Sequence, residues 1–401
     1  MRDSDIVGLK YFDRLMPLLE RLHEVGTQRD RAGNRQLFFD QYCSFILLFL
    51  FNPIVTSLRG IQQASGLKKV QKKLGCSRAS LGALSEATQV FDPEPLKQIA
   101  RELASQLEPM QGDRQFPDVK HLVTAVDGTV IKTLSRVVEA AYLRSPTNGR
   151  SMSAWRLHTH FEVERGLPVH IDVTGAGTQG ENDERAVLSK ALQADRCYVM
   201  DRGYAQFSLF NAIVAAGSSY VCRVRDNSVY EVVEQRPLSA EAQAAGITFD
   251  ATVRMGQDRK GADRPGHLMR LIFIATTPHE KRGKSGGGTT GPGSDGVLRI
   301  ATNLIDVPAE VVGFIYQRRW TVEIFFRFLK HVLGCRHLLS TDPVGVEIQA
   351  YCAIIACLLI ALWTGKQPTK RTYEMICFYF IGWADEDELL AHLAKLKSQD
   401  V

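Results

Sequence analysis

The chain has 401 residues, of which 45% are hydrophobic and 23% charged, a globular balance that allows a sizeable core and excludes general disorder. A formal net charge of +5 permits an anionic partner without requiring one. The eight cysteines include no Cys-x-x-Cys pair and no zinc-like spacing, and no charged-then-apolar leader opens the sequence; the expected setting is a reducing cytoplasm.

Residues 9–110 read as helices separated by turns, and 1–115 are expected to form an all-helical N-terminal domain. Within it VQKKLGCSRASLGALSEA has a helix, a glycine turn and a second helix starting near Ser77, a helix-turn-helix pattern that plain helix bundles share. Lys68, Lys69, Lys72, Lys73 and Arg78 cluster there, as phosphate contacts do. The apolar run 45–51 is far too short to span a bilayer, and 350–363 has a length that favours a buried core helix over a span, so no transmembrane segment is expected.

From 119 the texture becomes α/β. HLVTAVDGTVIKTL reads as two short strands around a turn, and RLHTHFEVERGLPVHIDVTG as a hairpin whose His158 and His160 are expected to be structural. Helix and strand then alternate through ENDERAVLSKALQ, CYVMDRG, AQFSLFNAIVAAG and SYVCRV, the pattern of a mixed sheet. Residues 228–307 read as a β-rich insertion carrying a flexible glycine-rich loop at 281–296. The next segment, YQRRWTVEIFFRFLKHVLG at 316–334, reads as one amphipathic helix. At about 100° per residue, Tyr316, Arg319, Glu323 and Lys330 share one face, opposite Phe314, Phe325 and Phe328.

Asp127 and Asp201 each follow an apolar run and precede a glycine turn. An acid in that position is a turn or cap residue, or it coordinates a cation. With Glu323 the set is all oxygen, which suits Mg²⁺ or Mn²⁺. Two such ions about 4 Å apart activate a hydroxyl and stabilise the leaving oxygen in phosphodiester displacement. On this reading Arg319 and Lys330 neutralise phosphates, and Tyr316 offers a hydroxyl or a stacking surface. The alternative is a solvated helix face.

The spacing of Tyr316, Arg319, Glu323 and Lys330 resembles the Tyr-Arg-Glu-Lys signature of bacterial insertion-sequence transposases with a DDE active site, the insertion-sequence-four family. DGT at 127–129 and DRGY at 201–204 resemble its two aspartate motifs. The resemblance implies a ribonuclease-H-like catalytic core, 116–227 and 308–350, interrupted by the insertion and followed by C-terminal helices at 351–401 that complete the core or make dimer contacts. It implies that Asp127, Asp201 and Glu323 hold two divalent ions. Tyr316, Arg319, Lys330 and Arg202, with Lys72, Lys73 and Arg78, would contact DNA. The expected activity is cut-and-paste transposition by hydrolysis and strand transfer at terminal inverted repeats, carried out by a homodimer in a synaptic complex, with no membrane involved. Several relatives pass through a hairpin with an aromatic residue of the insertion holding a flipped base. The insertion here has no tryptophan, and its candidates are Tyr230, Phe249 and Phe273. A nuclease without strand transfer and a non-catalytic DNA-binding regulator are the competing readings.

Overall fold

A computed structural model describes residues 12–25, 29–31, 33–107, 116–134, 141–144, 151–177, 180–256, 263–277, 295–331, 338–340, 342–365 and 367–398. Most of the glycine-rich loop, 281–294, lies outside the described residues, as does the Lys73 side chain.

The first part of the chain is helical: α1 (Phe12–Glu20), α2 (Phe39–Phe51), α3 (Leu58–Ser65), α4 (Lys68–Leu74), α5 (Leu81–Val90) and α6 (Glu94–Ser105). Gly75 ends α4 in the left-handed region at φ 60°, where a side chain would be strained. The helix after it starts at Leu81, later than the sequence suggested, because Ser80 is the residue whose side chain accepts the Ala83 N–H.

The sheet elements follow: β1 (Leu122–Leu134), β2 (Ala141–Arg144), β3 (Ser151–Glu162), β4 (Leu167–Gly175), α7 (Glu184–Lys190), β5 (Arg196–Met200), α8 (Phe207–Ala215) and β6 (Ser219–Arg223). Then come β7 (Tyr230–Gln235), α9 (Ala240–Ala244), β8 (Ile247–Met255), β9 (Met269–Ala275) and β10 (Val297–Thr302). The chain closes with α10 (Ala309–Arg318), α11 (Trp320–His331), α12 (Pro343–Thr364), α13 (Lys370–Ile381) and α14 (Glu386–Ser398).

All the strands belong to one 10-stranded sheet ordered β2-β3-β1-β5-β6-β10-β9-β8-β7, with β4 also on β3. β1, β5 and β6 run parallel, and β3 is antiparallel to both β1 and β4. The strands of the insertion do not stand apart from this sheet. β10 pairs antiparallel with β6 and carries β9, β8 and β7 outward as a continuation.

Two sequence expectations need correction. HLVTAVDGTVIKTL is not two strands around a turn: β1 runs through Asp127 and Gly128 without a break, because β3 pairs with it continuously from Thr124 to Leu134. The segment 316–334 is not one helix: α10 ends at Arg318 and α11 begins at Trp320, with Arg319 in helical dihedrals at the junction.

The centre of the molecule is α12. Apolar on every side, a helix of this kind must be surrounded, and it is: Tyr351, Ile354, Ile355, Leu358 and Leu359 are all 2% exposed or less. Burying such side chains is worth about 1.5–3 kcal/mol each. α12 packs on α2, α5, α6 and β4, so the N-terminal helices and one face of the sheet share a core. The Tyr351 hydroxyl ties it to β4, donating to the Ile171 carbonyl at 2.7 Å. By length and composition α12 could cross a membrane, yet 89% of its apolar window is buried inside the protein.

Candidate active site

The site is built where the parallel strands β1 and β5 end side by side. Their register pairs Leu122 with Arg196 and Ala125 with Val199, and two residues further on it sets Asp127 beside Asp201. Alternation along each strand turns both carboxylates to the face of Val123, Ala125 and Val199, which α10–α12 cover.

The glycines of the two motifs have local causes. A Cβ on Gly128 would stand 2.5 Å from Glu184 Oε1, so the residue is small because the Glu184 carboxylate passes over the strand. That carboxylate is held by an ion pair with Arg156. Asp201 caps a single 3₁₀ turn, accepting the Gly203 N–H at 2.7 Å, and a Cβ on Gly203 would lie 3.0 Å from the same Oδ1. Tyr204 is fully buried behind this turn, its hydroxyl without a hydrogen-bond partner and within the field of Glu184, Asp127, Asp201 and Arg156.

Arg319 joins the strands to the helices. Its Nη1 lies 3.3 Å from Asp127 Oδ2, and its Nη2 donates to Glu323 Oε1 at 2.9 Å. The sequence assigned Arg319 to a DNA phosphate; in the structure its half-buried guanidinium bridges two carboxylates, which compensate its charge. Burial pushes the Asp127 carboxyl up to about 6, opposed by Arg319 and the Gly128 N–H and reinforced by the charges of Asp201 and Glu323. Tyr316, packed on the last turn of α10, is pushed up to about 12, chiefly by burial. Its hydroxyl therefore stays protonated and can donate.

Packing sets where α10 and α11 lie. Val322, Phe325 and Leu329 are buried, and the Phe325 ring stands 5.5 Å from that of Phe161 on β3. A second anchor gave no sequence signal. Arg270 on β9 pairs with Asp250 on β8 at 2.7 Å, the side chains 4% and 5% exposed. The same guanidinium donates to the carbonyls of Leu304, Ile305 and Val307, and Arg236 donates to Ile305 at 2.7 Å. The insertion strands thus grip the segment that leads into α10.

The other expected residues scatter. Arg202 is exposed and lines a cavity of about 740 Å³ with Asp201, Arg185 and Arg225. Lys330 is half-buried on α11 and engaged within the fold. Lys72 and Arg78 lie on α4 and the loop after it, on the helical part of the chain rather than among the carboxylates. Tyr230, Phe249 and Phe273 are half-buried and pack on one another, with ring centroids 4.7–6.1 Å apart, against a cluster that also holds Val126, Tyr198 and Met200. His158 and His160 are buried, the first bonded to Thr174 Oγ1 at 2.8 Å and the second against the Tyr198 ring. Burial pulls them down to about 4 and about 3, so both are neutral.

The fit to a metal is a matter of donor chemistry. Asp127, Asp201 and Glu323 offer hard oxygens that feel one another's charge. Among the described residues, however, no three His, Cys, Asp or Glu side chains stand close enough together to hold an ion as they lie. Arg319 occupies the space between two of them.

Residues 118–359, more than half of the chain, match the family described as Transposase DDE domain. Over 217 residues the chain is 28% identical to the putative transposase y4zB of Sinorhizobium fredii, covering 54% of this chain and 55% of that one. Over 224 residues it is 25% identical to the probable transposase for insertion sequence element IS5377 of Geobacillus stearothermophilus, covering 56% and 52%. The match spans about half the length of these curated relatives. A solved structure, the piggyBac transposase synaptic complex with hairpin DNA, aligns at a TM-score of 0.43 and 10% identity, covering 98% of this chain and 83% of that one.

Proposed function

Because the chain belongs to the Transposase DDE domain family, we propose that it is the transposase of an insertion sequence, cutting and rejoining double-stranded DNA at terminal inverted repeats, with Asp127, Asp201 and Glu323 as its catalytic carboxylates. The observation that carries the reading is their convergence: Asp127 and Glu323, far apart in the sequence, meet on one guanidinium beside Asp201. The strand order β4-β3-β1-β5-β6, antiparallel and then parallel, supports a ribonuclease-H-like core over 116–227 and 308–350. The Tyr316, Arg319, Glu323, Lys330 spacing supports the insertion-sequence-four group.

The three carboxylates would hold Mg²⁺ or Mn²⁺, which supplies an activated hydroxyl and stabilisation of the leaving oxygen. The chain's own residues do the rest. Tyr316 offers a protonated hydroxyl to a phosphate oxygen, and Arg319 opposes the burial that raises the Asp127 carboxyl while holding Glu323 by an ion pair until metal is bound. Lys72, Lys73 and Arg78 on the helical domain would contact the inverted repeat, and a second copy would bracket the other DNA end.

The test is an excision assay on linear DNA carrying the element's own ends, with Mg²⁺ or Mn²⁺, comparing wild type with Glu323→Ala. Metal-dependent cleavage at the element boundary that the variant loses supports the assignment. End-specific binding without cleavage under either metal would make the protein a regulator of the element.

A further inference from the structure

β6 places an arginine beside the carboxylates at a position that no sequence motif marks. The parallel register pairs Met200 with Cys222, so one step further Arg223 sits beside Asp201. Alternation puts it on the face of Val221, the same covered face that carries Asp127 and Asp201. Tyr316 feels its charge across that space.

Arg223 Nε and Nη2 are buried and make no hydrogen bond. A guanidinium has five donors and no way to neutralise itself, and buried donors left unmade destabilise the fold. The neighbouring arginines show what a satisfied one does. Arg319 has Asp127 and Glu323, and Arg156 has Glu184; Arg156 and Arg318 each leave only Nε without a partner, whereas Arg223 leaves two nitrogens and has no carboxylate among the described residues. Two residues beyond Arg223, Arg225 is exposed on the wall of the 740 Å³ cavity that Arg202 and Asp201 also line. Neither Arg202 nor Arg225 has an ion-pair partner among the described residues. Asp226, the other acid lining that cavity, is drawn to Arg299 at 3.7 Å.

We propose that the end of β6 is a phosphate site for one DNA strand: Arg223 takes the oxygens of the phosphate at the reacting bond, and Arg225 with Arg202 takes the next phosphate along the cavity. β6 ends at Arg223, but the Val224 N–H still donates to the Arg299 carbonyl, and two extended residues span about 6.6 Å, a distance commensurate with neighbouring phosphates of a strand. The ligand would supply what Arg223 lacks, an acceptor with two oxygens in the plane of the fork. This proposal rests on the transposase reading above and adds to it a cationic group that is not already spent on the carboxylates.

The experiment uses the full chain and a duplex bearing its own element's end. Arg223→Gln is expected to slow first-turnover cleavage on saturating DNA by about 10²-fold or more, with Arg223→Lys recovering part of the rate. The melting temperature of Arg223→Gln should hold or rise, because a buried unpaired charge is gone; a merely structural arginine would lower it. Arg225→Ala should weaken binding and reduce the slope of log affinity against log salt by about 0.9. Wild-type cleavage by Arg223→Gln, or a rate loss that only tracks lost folding, overturns the proposal. If the wild type binds DNA without cutting, the transposase reading fails on its own, and the salt slopes decide this site. Smaller slopes in Arg223→Gln and Arg225→Ala keep it, and unchanged slopes reject it.

Discussion

Arg319 and Asp127 are 192 positions apart in the chain, yet the guanidinium stands 3.3 Å from the carboxylate. The contact closes the site: it fastens the junction of α10 and α11 onto β1 and supplies positive charge where three acids converge. It also blocks the close approach of those acids that a shared cation needs. Arg319→Ala should therefore lower stability without divalent ions and increase the rise in melting temperature that Mg²⁺ or Mn²⁺ gives. Thermal melts with and without metal measure both; an equal metal response in wild type and variant would remove Arg319 from any competition with the ion.

Asp127 gives the fold a pH dependence of known sign. Its folded value, about 6, lies above the ordinary 3.8, so the folded state holds the proton more tightly than the unfolded chain. Stability from this group is greatest below about pH 4 and is lost as pH rises toward 6. The shift corresponds to at most about 3 kcal/mol. Asp127→Asn should flatten that slope and melt higher than wild type at pH 7, with the difference shrinking toward pH 4. Parallel stability curves for the two proteins would contradict the buried, crowded carboxylate.

Gly128 is tested by filling its space. Gly128→Ala meets the Glu184 carboxylate at 2.5 Å, and the ion pair with Arg156 resists its retreat. A loss of about 1–3 kcal/mol is expected. Shortening Glu184 should recover part of it, so Gly128→Ala with Glu184→Ala should be less damaging than the two single losses added. Additive losses in urea unfolding would place the clash elsewhere.

The Arg270–Asp250 pair separates stability from activity. Asp250→Asn alone leaves a buried arginine uncompensated and should cost about 3–5 kcal/mol. Replacing both, as Asp250→Leu with Arg270→Met, should restore much of the stability, yet the carbonyls of Leu304, Ile305 and Val307 lose their donor. Cleavage on saturating DNA should stay low in the double variant if the clamp positions α10. Full activity there would reduce the pair to a folding device.

Much of this protein was determined by the sequence acting locally. The apolar runs before Asp201 and through SYVCRV, the helical period of AQFSLFNAIVAAG and the all-round apolar face of α12 each name their element, because one-sided or complete burial leaves a periodic trace. The spacing of Tyr316, Arg319, Glu323 and Lys330 is legible in the chain alone, but the single shared face it implies at about 3.6 residues per turn assumes one helix, and the break at Arg319 puts Tyr316 on α10 and Glu323 and Lys330 on α11. What the tertiary structure decided came from partners distant in sequence. Antiparallel pairing with β3 carried β1 straight through the Asp127–Gly128 step that reads alone as a turn. Pairing of β10 with β6 made the insertion part of the main sheet. The compensation of Arg319 by Asp127, the grip of Arg270 on the segment before α10 and the unmet donors of Arg223 are three-dimensional charge balances. A residue's period reports whether it is buried, and only the fold decides which charge it is buried beside.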